Sequence, residues 1–183
     1  GSNQWKEINV SGYSGKYCGD DYNANPQTWK AFNKYSITFN SNGGSGTMSP
    51  ISGICPGDNQ TLSANTFSRT GYTFDGWATF ANGNKVYNDK ATISNINSNI
   101  TLYARWKANT YTITWVVSTN GGIWANGTTT NKTTIVAYGD MPTAPESPTK
   151  NATAQYSYTF AGWTPEIVAV VGDATYTAVF DAE

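Results

Sequence analysis

One six-residue pattern occurs twice in the sequence, and this repetition limits the folds that the chain can adopt. Residues 72–77 are Tyr-Thr-Phe-Asp-Gly-Trp, and residues 158–163 are Tyr-Thr-Phe-Ala-Gly-Trp. Aromatic and polar residues alternate as they do on a half-buried strand, and a glycine then precedes a tryptophan. The repetition predicts two copies of one small module within 183 residues.

Other motifs recur in the same order, but at a spacing that changes along the chain. The alternating strand that begins at Tyr35 recurs at Tyr111, an offset of 76 (111 − 35). The offset is 86 (162 − 76) at the glycine of the hexapeptide and 74 (180 − 106) at the last predicted strand. The second copy therefore gains residues near 145–150 and loses a similar number between Trp163 and Thr175. Because loops absorb length changes at little free-energy cost, we expect a shared core with different loops.

The composition favours strands and turns over helices. Charged residues make up only 13% of the chain and aromatic residues 14%, while Asn, Thr, Ser and Gly fill the polar positions. We expect a mainly β chain, α+β at most, with a first module over residues 35–107 and a second over residues 111–183. Residues 1–34 are too short to hold a core of their own. We interpret them as an N-terminal segment, either the tail of a preceding domain or a strap packed on the first module.

The first copy resembles a known family of repeats. Its motifs are Tyr-Ser-Ile-Thr-Phe at 35–39, Asn-Gly-Gly at 42–44, Arg-Thr-Gly-Tyr-Thr-Phe-Asp-Gly-Trp at 69–77 and Thr-Leu-Tyr-Ala-Arg-Trp at 101–106. In this order and spacing they resemble the Listeria–Bacteroides repeat, also called the internalin B-repeat, and residues 111–180 resemble a diverged second copy. The resemblance implies small β-grasp-like (ubiquitin-like) modules that occur in tandem on bacterial surface proteins.

Three tryptophans and two glycines are interpreted as markers of the module cores. Trp77, Trp106 and Trp163 fall on the apolar faces of predicted strands. Gly76 and Gly162 directly precede two of these tryptophans. A glycine inside a strand indicates a bulge or a close approach of another backbone, so we expect one or the other at both positions.

Trp124 differs from these tryptophans because it lies among Gly and Asn residues, with no strand pattern to carry it inward. Two interpretations stay open. An exposed loop tryptophan could stack on a sugar ring or contact a partner protein, which makes Trp124 a candidate ligand contact. Alternatively, the side chain folds back over the edge of its module.

The two cysteines, Cys18 and Cys55, also leave two interpretations open. They are 37 residues apart (55 − 18) and form no Cys-x-x-Cys motif, and the chain contains no histidine, so a zinc site has too few ligands. They are either two buried thiols or one disulfide that ties the N-terminal segment to the first module. The intact mass with and without a reductant separates the two.

The sequence gives little support for catalysis. Histidine, the usual proton acceptor near neutral pH, is absent. Most of the candidate carboxylates are flanked by Gly or Pro, so we interpret them as turn residues; they are Asp20, Asp21, Asp58, Asp75, Asp89, Asp140, Glu146, Glu166 and Asp173. We expect a protein that is not an enzyme, with no catalytic residue, no cofactor and no metal site.

The charge pattern limits the partners. The formal net charge is −1 with no basic patch, so nucleic acid is not an expected partner, and no apolar run is long enough to span a membrane.

Our leading hypothesis is a monomeric, extracellular or cell-surface bacterial module pair that acts as an adhesin stalk or spacer and contacts a host or surface protein. The alternatives are a glycan- or mucin-binding module that uses Trp124, and an accessory domain of a larger extracellular enzyme.

Overall fold

The computed structural model describes residues 34–183 and two short strands earlier in the chain, β1 (Trp5–Glu7) and β2 (Lys16–Cys18). These two strands pair antiparallel, with Trp5 opposite Cys18. The chain divides into two compact units, Gly1–Lys107 and Ala108–Glu183. Most of the predicted N-terminal segment lies outside the described residues, so its role as a domain tail or a strap stays a prediction.

The first module has a four-stranded sheet and a smaller two-stranded sheet. Its strands are β3 (Tyr35–Asn40), β4 (Ile51–Ile54), β5 (Asp58–Thr61), β6 (Tyr72–Ala78), β7 (Thr92–Ile96) and β8 (Ile100–Ala108). The larger sheet has the order β4-β3-β8-β6, in which β3 is antiparallel to β4 and parallel to β8. Strands β5 and β7 form the smaller antiparallel sheet.

The second module repeats this plan. Its strands are β9 (Thr110–Val116), β10 (Gly122–Ile123), β11 (Lys132–Ala137), β12 (Thr149–Lys150), β13 (Tyr158–Thr164) and β14 (Ala174–Ala182). The sheet order β11-β9-β14-β13 corresponds strand for strand to that of the first module, and the central pair β9 and β14 is again parallel. Apart from the 3-10 turn Ser118–Asn120, the described residues contain no helix. The predicted mainly β class is confirmed.

The junction between the modules is shorter than the sequence indicates. The module bounds expected from the sequence leave residues 108–110 as a linker, but β8 continues to Ala108 and β9 begins at Thr110. Only Asn109 lies between the two strands. The expected linker is therefore largely strand, because the alternation of apolar residues on both sides extends almost to the junction.

Each module has its own core, built from the inward-facing residues of its four-stranded sheet. In the first module Ile37, Trp77 and Leu102 are fully buried. The second module buries Ile113, Trp115, Tyr176 and Ala178 in the corresponding strands. Burial of a large apolar side chain contributes roughly 1.5–3 kcal/mol, so these few residues supply much of the stability of a small domain.

The tryptophan of the hexapeptide is buried to a different extent in the two cores. Trp77 is fully buried, with its ring centroid 5.0 Å from that of Phe39 and 4.9 Å from that of Phe74. Trp163 is only half-buried and packs against its core, with its ring centroid 5.0 Å from that of Trp115. Trp106 is half-buried in the first module, and its Nε1 donates to the backbone oxygen of Ser41 at 2.9 Å.

The Asn-Gly motifs tie a turn to the last strand of each module. The Nδ2 atom of Asn42 donates to the backbone oxygen of Ala104 at 3.0 Å, and that of Asn120 donates to the backbone oxygen of Ala178 at 2.7 Å. These amide groups satisfy carbonyl groups that a simple loop would leave unpaired. Gly121 has φ +73°, a conformation that glycine adopts without steric cost.

Gly76 and Gly162 share an unusual backbone conformation, with φ values of +138° and +139°. At Gly162 the register of β13 against β14 shifts between Phe160 and Gly162, which is the geometry of a β-bulge. The surroundings of the two glycines differ. A Cβ atom at Gly76 would lie 2.6 Å from the backbone oxygen of Tyr87, whereas one at Gly162 would meet no atom within 4 Å.

Gly76→Ala should therefore destabilise the first module more than Gly162→Ala destabilises the second. Both substitutions force an L-residue into a sparsely populated backbone region, at a cost of about 1–3 kcal/mol. Gly76→Ala adds the clash with the Tyr87 carbonyl. The measurement is the free energy of unfolding from urea titrations followed module by module by NMR. Gly172→Ala is the control, because Gly172 has no positive φ and open space around it. Equal losses at Gly76 and Gly162 would contradict the close-approach explanation.

Candidate functional site

Trp124 is buried, which supports the interpretation that its side chain folds back onto the module and contradicts the exposed alternative. Its side chain is 1% exposed and its ring centroid is 6.0 Å from that of Trp163. The indole Nε1 donates to the backbone oxygen of Thr130 at 2.8 Å, which lets the ring enter the core without an unpaired donor. A turn in which the Trp124 amide donates to the Thr128 oxygen at 2.9 Å accompanies this inward orientation, and the sequence pattern alone does not decide between the two interpretations.

Lys132 joins Trp124 to the loop that the second module has gained. Its ammonium nitrogen lies 4.3 Å from the centre of the Trp124 ring and forms an ion pair with the Glu146 carboxylate. Two residues further along this loop, Pro148 is fully buried. We call Trp124, Lys132, Glu146 and Trp163 the Trp124 cluster. The two features that distinguish the second module in the sequence therefore meet at one place, where they brace the inserted loop.

The ion pair with Lys132 changes the pKa of the Glu146 carboxyl group. The hydrogen bond from Lys132 lowers the pKa of Glu146 below its ordinary value, and a backbone hydrogen bond and the charge of Lys132 act in the same direction. A group whose pKa is depressed by folding stabilises the folded state above its unfolded pKa. That contribution is lost as the pH falls through the folded pKa. The side chain is exposed, so solvent screens the effect.

We expect the Glu146 carboxyl group to titrate at a lower pH than an isolated glutamate, and Lys132→Met to return its pKa toward the ordinary value. The measurement is the pH dependence of the Glu146 carboxyl carbon shift in NMR spectra. Lys85→Met is the control, because Lys85 pairs with Asp75 and not with Glu146, so this substitution should leave the Glu146 titration unchanged. A Glu146 titration that Lys132→Met leaves unchanged would contradict the ion pair.

The outer edge of the sheet is covered in the first module. Strand β6 is followed by residues 79–91, which we call the cover segment. The amide of Trp77 donates to the Tyr87 oxygen at 2.8 Å, and the Trp77 oxygen accepts from the amides of Val86 at 2.8 Å and Tyr87 at 3.1 Å. A salt bridge of 3.1 Å between Lys85 and Asp75 holds the segment at one end. The Tyr87 ring packs against the core.

The equivalent edge of the second module lacks this cover. The chain from Trp77 to Leu102 spans 25 residues (102 − 77), whereas that from Trp163 to Tyr176 spans 13 (176 − 163). Strand β13 is an edge strand of its sheet, with β14 on one side. On its other side, no residue described in the structure forms a backbone bridge with it. Ala161 stands where the first module has Asp75. We call residues 161–164 the β13 edge.

The missing cover accounts for the two differences at the hexapeptide. The carbonyl that crowds Gly76 belongs to the cover segment, so Gly162 has open space. In the first module, the Tyr87 ring packs against the core that contains Trp77. Among its described residues the second module has none equivalent to Tyr87, and Trp163 is half-buried. A backbone edge next to a partly exposed tryptophan is the feature of the second module best suited to contact another molecule.

Three of the carboxylates that the sequence offers as candidates accept hydrogen bonds from backbone amides, while Asp20 and Asp21 lie outside the described residues. Asp89 accepts from the Asn65 amide at 2.9 Å, Asp173 accepts from the Thr112 amide at 2.8 Å, and Asp58 accepts from the Cys55 amide at 3.3 Å. In the described part of the chain, no group of three or more His, Cys, Asp or Glu side chains is placed to hold a metal ion.

A shallow groove of about 290 Å³ opens on the first module. Its lining contains no titratable side chain, because it consists of Phe39, Asn40, Ser41, Gly46, Thr47, Met48 and Phe67. The groove therefore offers apolar and amide contacts but no acid or base.

Cys55 is buried and disulfide-bonded. The side chain of Cys18 lies outside the described residues, so the predicted pairing of Cys18 with Cys55 stays a prediction.

Comparison with known proteins supports the resemblance that the motifs indicate. Residues 35–105 match the Listeria-Bacteroides repeat domain. This match confirms the recognition of the first module, which coincides with the region that carries the four motifs. Among the described residues, no helix is long and apolar enough to cross a bilayer.

One solved structure is similar to the chain at low identity. It contains Streptococcal High Identity Repeats in Tandem (SHIRT) domains 3-4 from a cell surface protein, with 14% identity over 81% of this chain and 98% of that chain. The TM-score is 0.27. At so low a TM-score the likeness carries no argument about fold or function.

Proposed function

We propose that the chain is a pair of non-catalytic repeat modules from a bacterial cell-surface or secreted protein. Their function is to act as a stalk or spacer of an adhesin and to present a protein-interaction surface. The observation that carries the proposal is the repetition of one sheet order, β4-β3-β8-β6 and β11-β9-β14-β13, with only Asn109 between the last strand of one copy and the first strand of the next.

The junction supports the spacer function because it leaves few rotatable bonds between the modules. A backbone has two soft dihedral angles per residue. β8 extends to Ala108, Thr110 pairs with Ala137, and the Asn109 oxygen accepts from the Tyr138 amide at 2.8 Å. A junction of this kind restricts the relative motion of two domains more than a flexible linker does.

The strand order also supports the β-grasp-like interpretation. In each module the first and last strands form a parallel central pair, and an antiparallel hairpin partner flanks the first strand. The small sheets β5–β7 and β10–β12 accompany the main sheets. We propose that both modules are small β-grasp-like folds whose connections are built from turns and short strands.

The extracellular location is supported by chemistry. The polar residues of the chain are mostly Asn, Thr and Ser, and charged residues make up only 13%. A buried, disulfide-bonded Cys55 suits an oxidising compartment, and we propose Cys18 as its partner. The non-catalytic role is supported by the backbone-bracing carboxylates. The glycan-binding alternative loses its candidate contact residue, since the ring of Trp124 is buried.

Small-angle X-ray scattering tests the spacer function. A compact single domain of this length would have a radius of gyration of about 16 Å. We expect a larger value and a pair-distance distribution with two maxima, one within and one between modules. The control inserts Gly-Gly-Ser-Gly after Asn109, which should broaden the second maximum by loosening the junction. A radius near that of a compact domain, or a second maximum that the insertion leaves unchanged, would contradict the proposal.

A further inference from the structure

The β13 edge of the second module resembles the edge of β6 in backbone conformation. The edge of β6 pairs with the cover segment, whereas no described residue pairs with the β13 edge. Gly76 and Gly162 have φ values within one degree of each other, so β6 and β13 pass the same kink before the tryptophan. In the first module this kink turns both the amide and the carbonyl of Trp77 toward the cover segment. By the same geometry, the amide and carbonyl of Trp163 face outward.

We propose that the β13 edge binds an extended segment of a partner protein that carries an aromatic side chain. The segment adds to the sheet beside β13 and exchanges backbone hydrogen bonds with Trp163. Binding of this kind adds a strand to an exposed sheet edge, so main-chain hydrogen bonds supply affinity and the side chains supply selectivity. The proposal deepens the interaction part of the proposed function, on which it rests.

The kind of partner segment is inferred from the first module, where the cover segment of the same chain pairs with the edge of β6. Residues 86 and 87 of the cover segment make three hydrogen bonds with the backbone of Trp77. The Tyr87 ring completes the core beside Trp77. The second module lacks both contributions, and a partner that restores them needs an extended backbone and an aromatic ring in the position of Tyr87.

The side chains next to the β13 edge indicate that the partner does not need a cation equivalent to Lys85. Lys85 forms a salt bridge with Asp75 in the first module, but the equivalent residue in the second is Ala161. A cation in the partner therefore has no carboxylate to meet at this position. The open space around Gly162 leaves room for a backbone to approach as closely as Tyr87 approaches Gly76. Selectivity should follow the aromatic ring instead of charge.

An NMR titration of the full chain with a synthetic peptide tests the proposal. The probe has the sequence of residues 84–89, Asn-Lys-Val-Tyr-Asn-Asp, with blocked ends. We expect shifts confined to the amide of Trp163, its Nε1–H and the neighbouring residues of β13, together with slower exchange of the Trp163 amide. The amide of Trp77 is the internal control, because its edge is already occupied and should not respond.

Three altered peptides separate strand addition from other binding. Replacing the tyrosine by alanine should weaken binding about tenfold or more, and N-methylation of the tyrosine amide should weaken it comparably, because that amide pairs with the tryptophan carbonyl. N-methylation of the asparagine after the tyrosine should leave binding unchanged. Peptides that bind equally, shifts that lie elsewhere, or no shift at all would overturn the proposal. So would a β13-to-β13 dimer of the chain in light scattering. None of these results bears on the scattering test of the spacer function.

Discussion

The glycine–tryptophan step at the outer strand is the constraint on which both modules depend. The positive φ of Gly76 and Gly162 re-aims the strand so that the following tryptophan points into the core while its backbone faces outward. Only glycine adopts this conformation without strain. Because one residue sets both the core packing and the edge geometry, the same hexapeptide appears in both copies although the surrounding loops differ.

The two modules handle the exposed edge in different ways. The first module covers it with residues 85–87 of its own chain and locks the cover with the Lys85–Asp75 salt bridge. The second has lost most of the covering chain and has gained a loop before the hexapeptide instead, which Glu146, Lys132 and the buried Pro148 hold in place. Natural sheets rarely leave an edge without a bulge, a charge or a cover. The β13 edge has the bulge but neither a charge at Ala161 nor a described cover.

Much of the fold could be predicted from the sequence, because strand alternation and repetition are local signals. The alternating residues that begin at Tyr35 and at Tyr111, and the changing offsets between copies, indicate both sheets and the places where their loops differ. The site could not be predicted in the same way. The burial of Trp124 depends on Thr130 and Lys132, and the openness of the β13 edge depends on residues that are absent. Neither dependence leaves a periodic pattern in the sequence.

The central claim is that one sheet plan occurs twice, with its outer edge covered in the first module and open in the second. Native-state hydrogen exchange at the amides of Trp77 and Trp163 tests it most directly. The account predicts slow exchange for Trp77, whose amide donates to the Tyr87 oxygen, and fast exchange for Trp163. The buried strand residues Ile37 and Ile113 should be protected in both modules, which shows that both are folded. Equal protection of Trp77 and Trp163 would contradict the account.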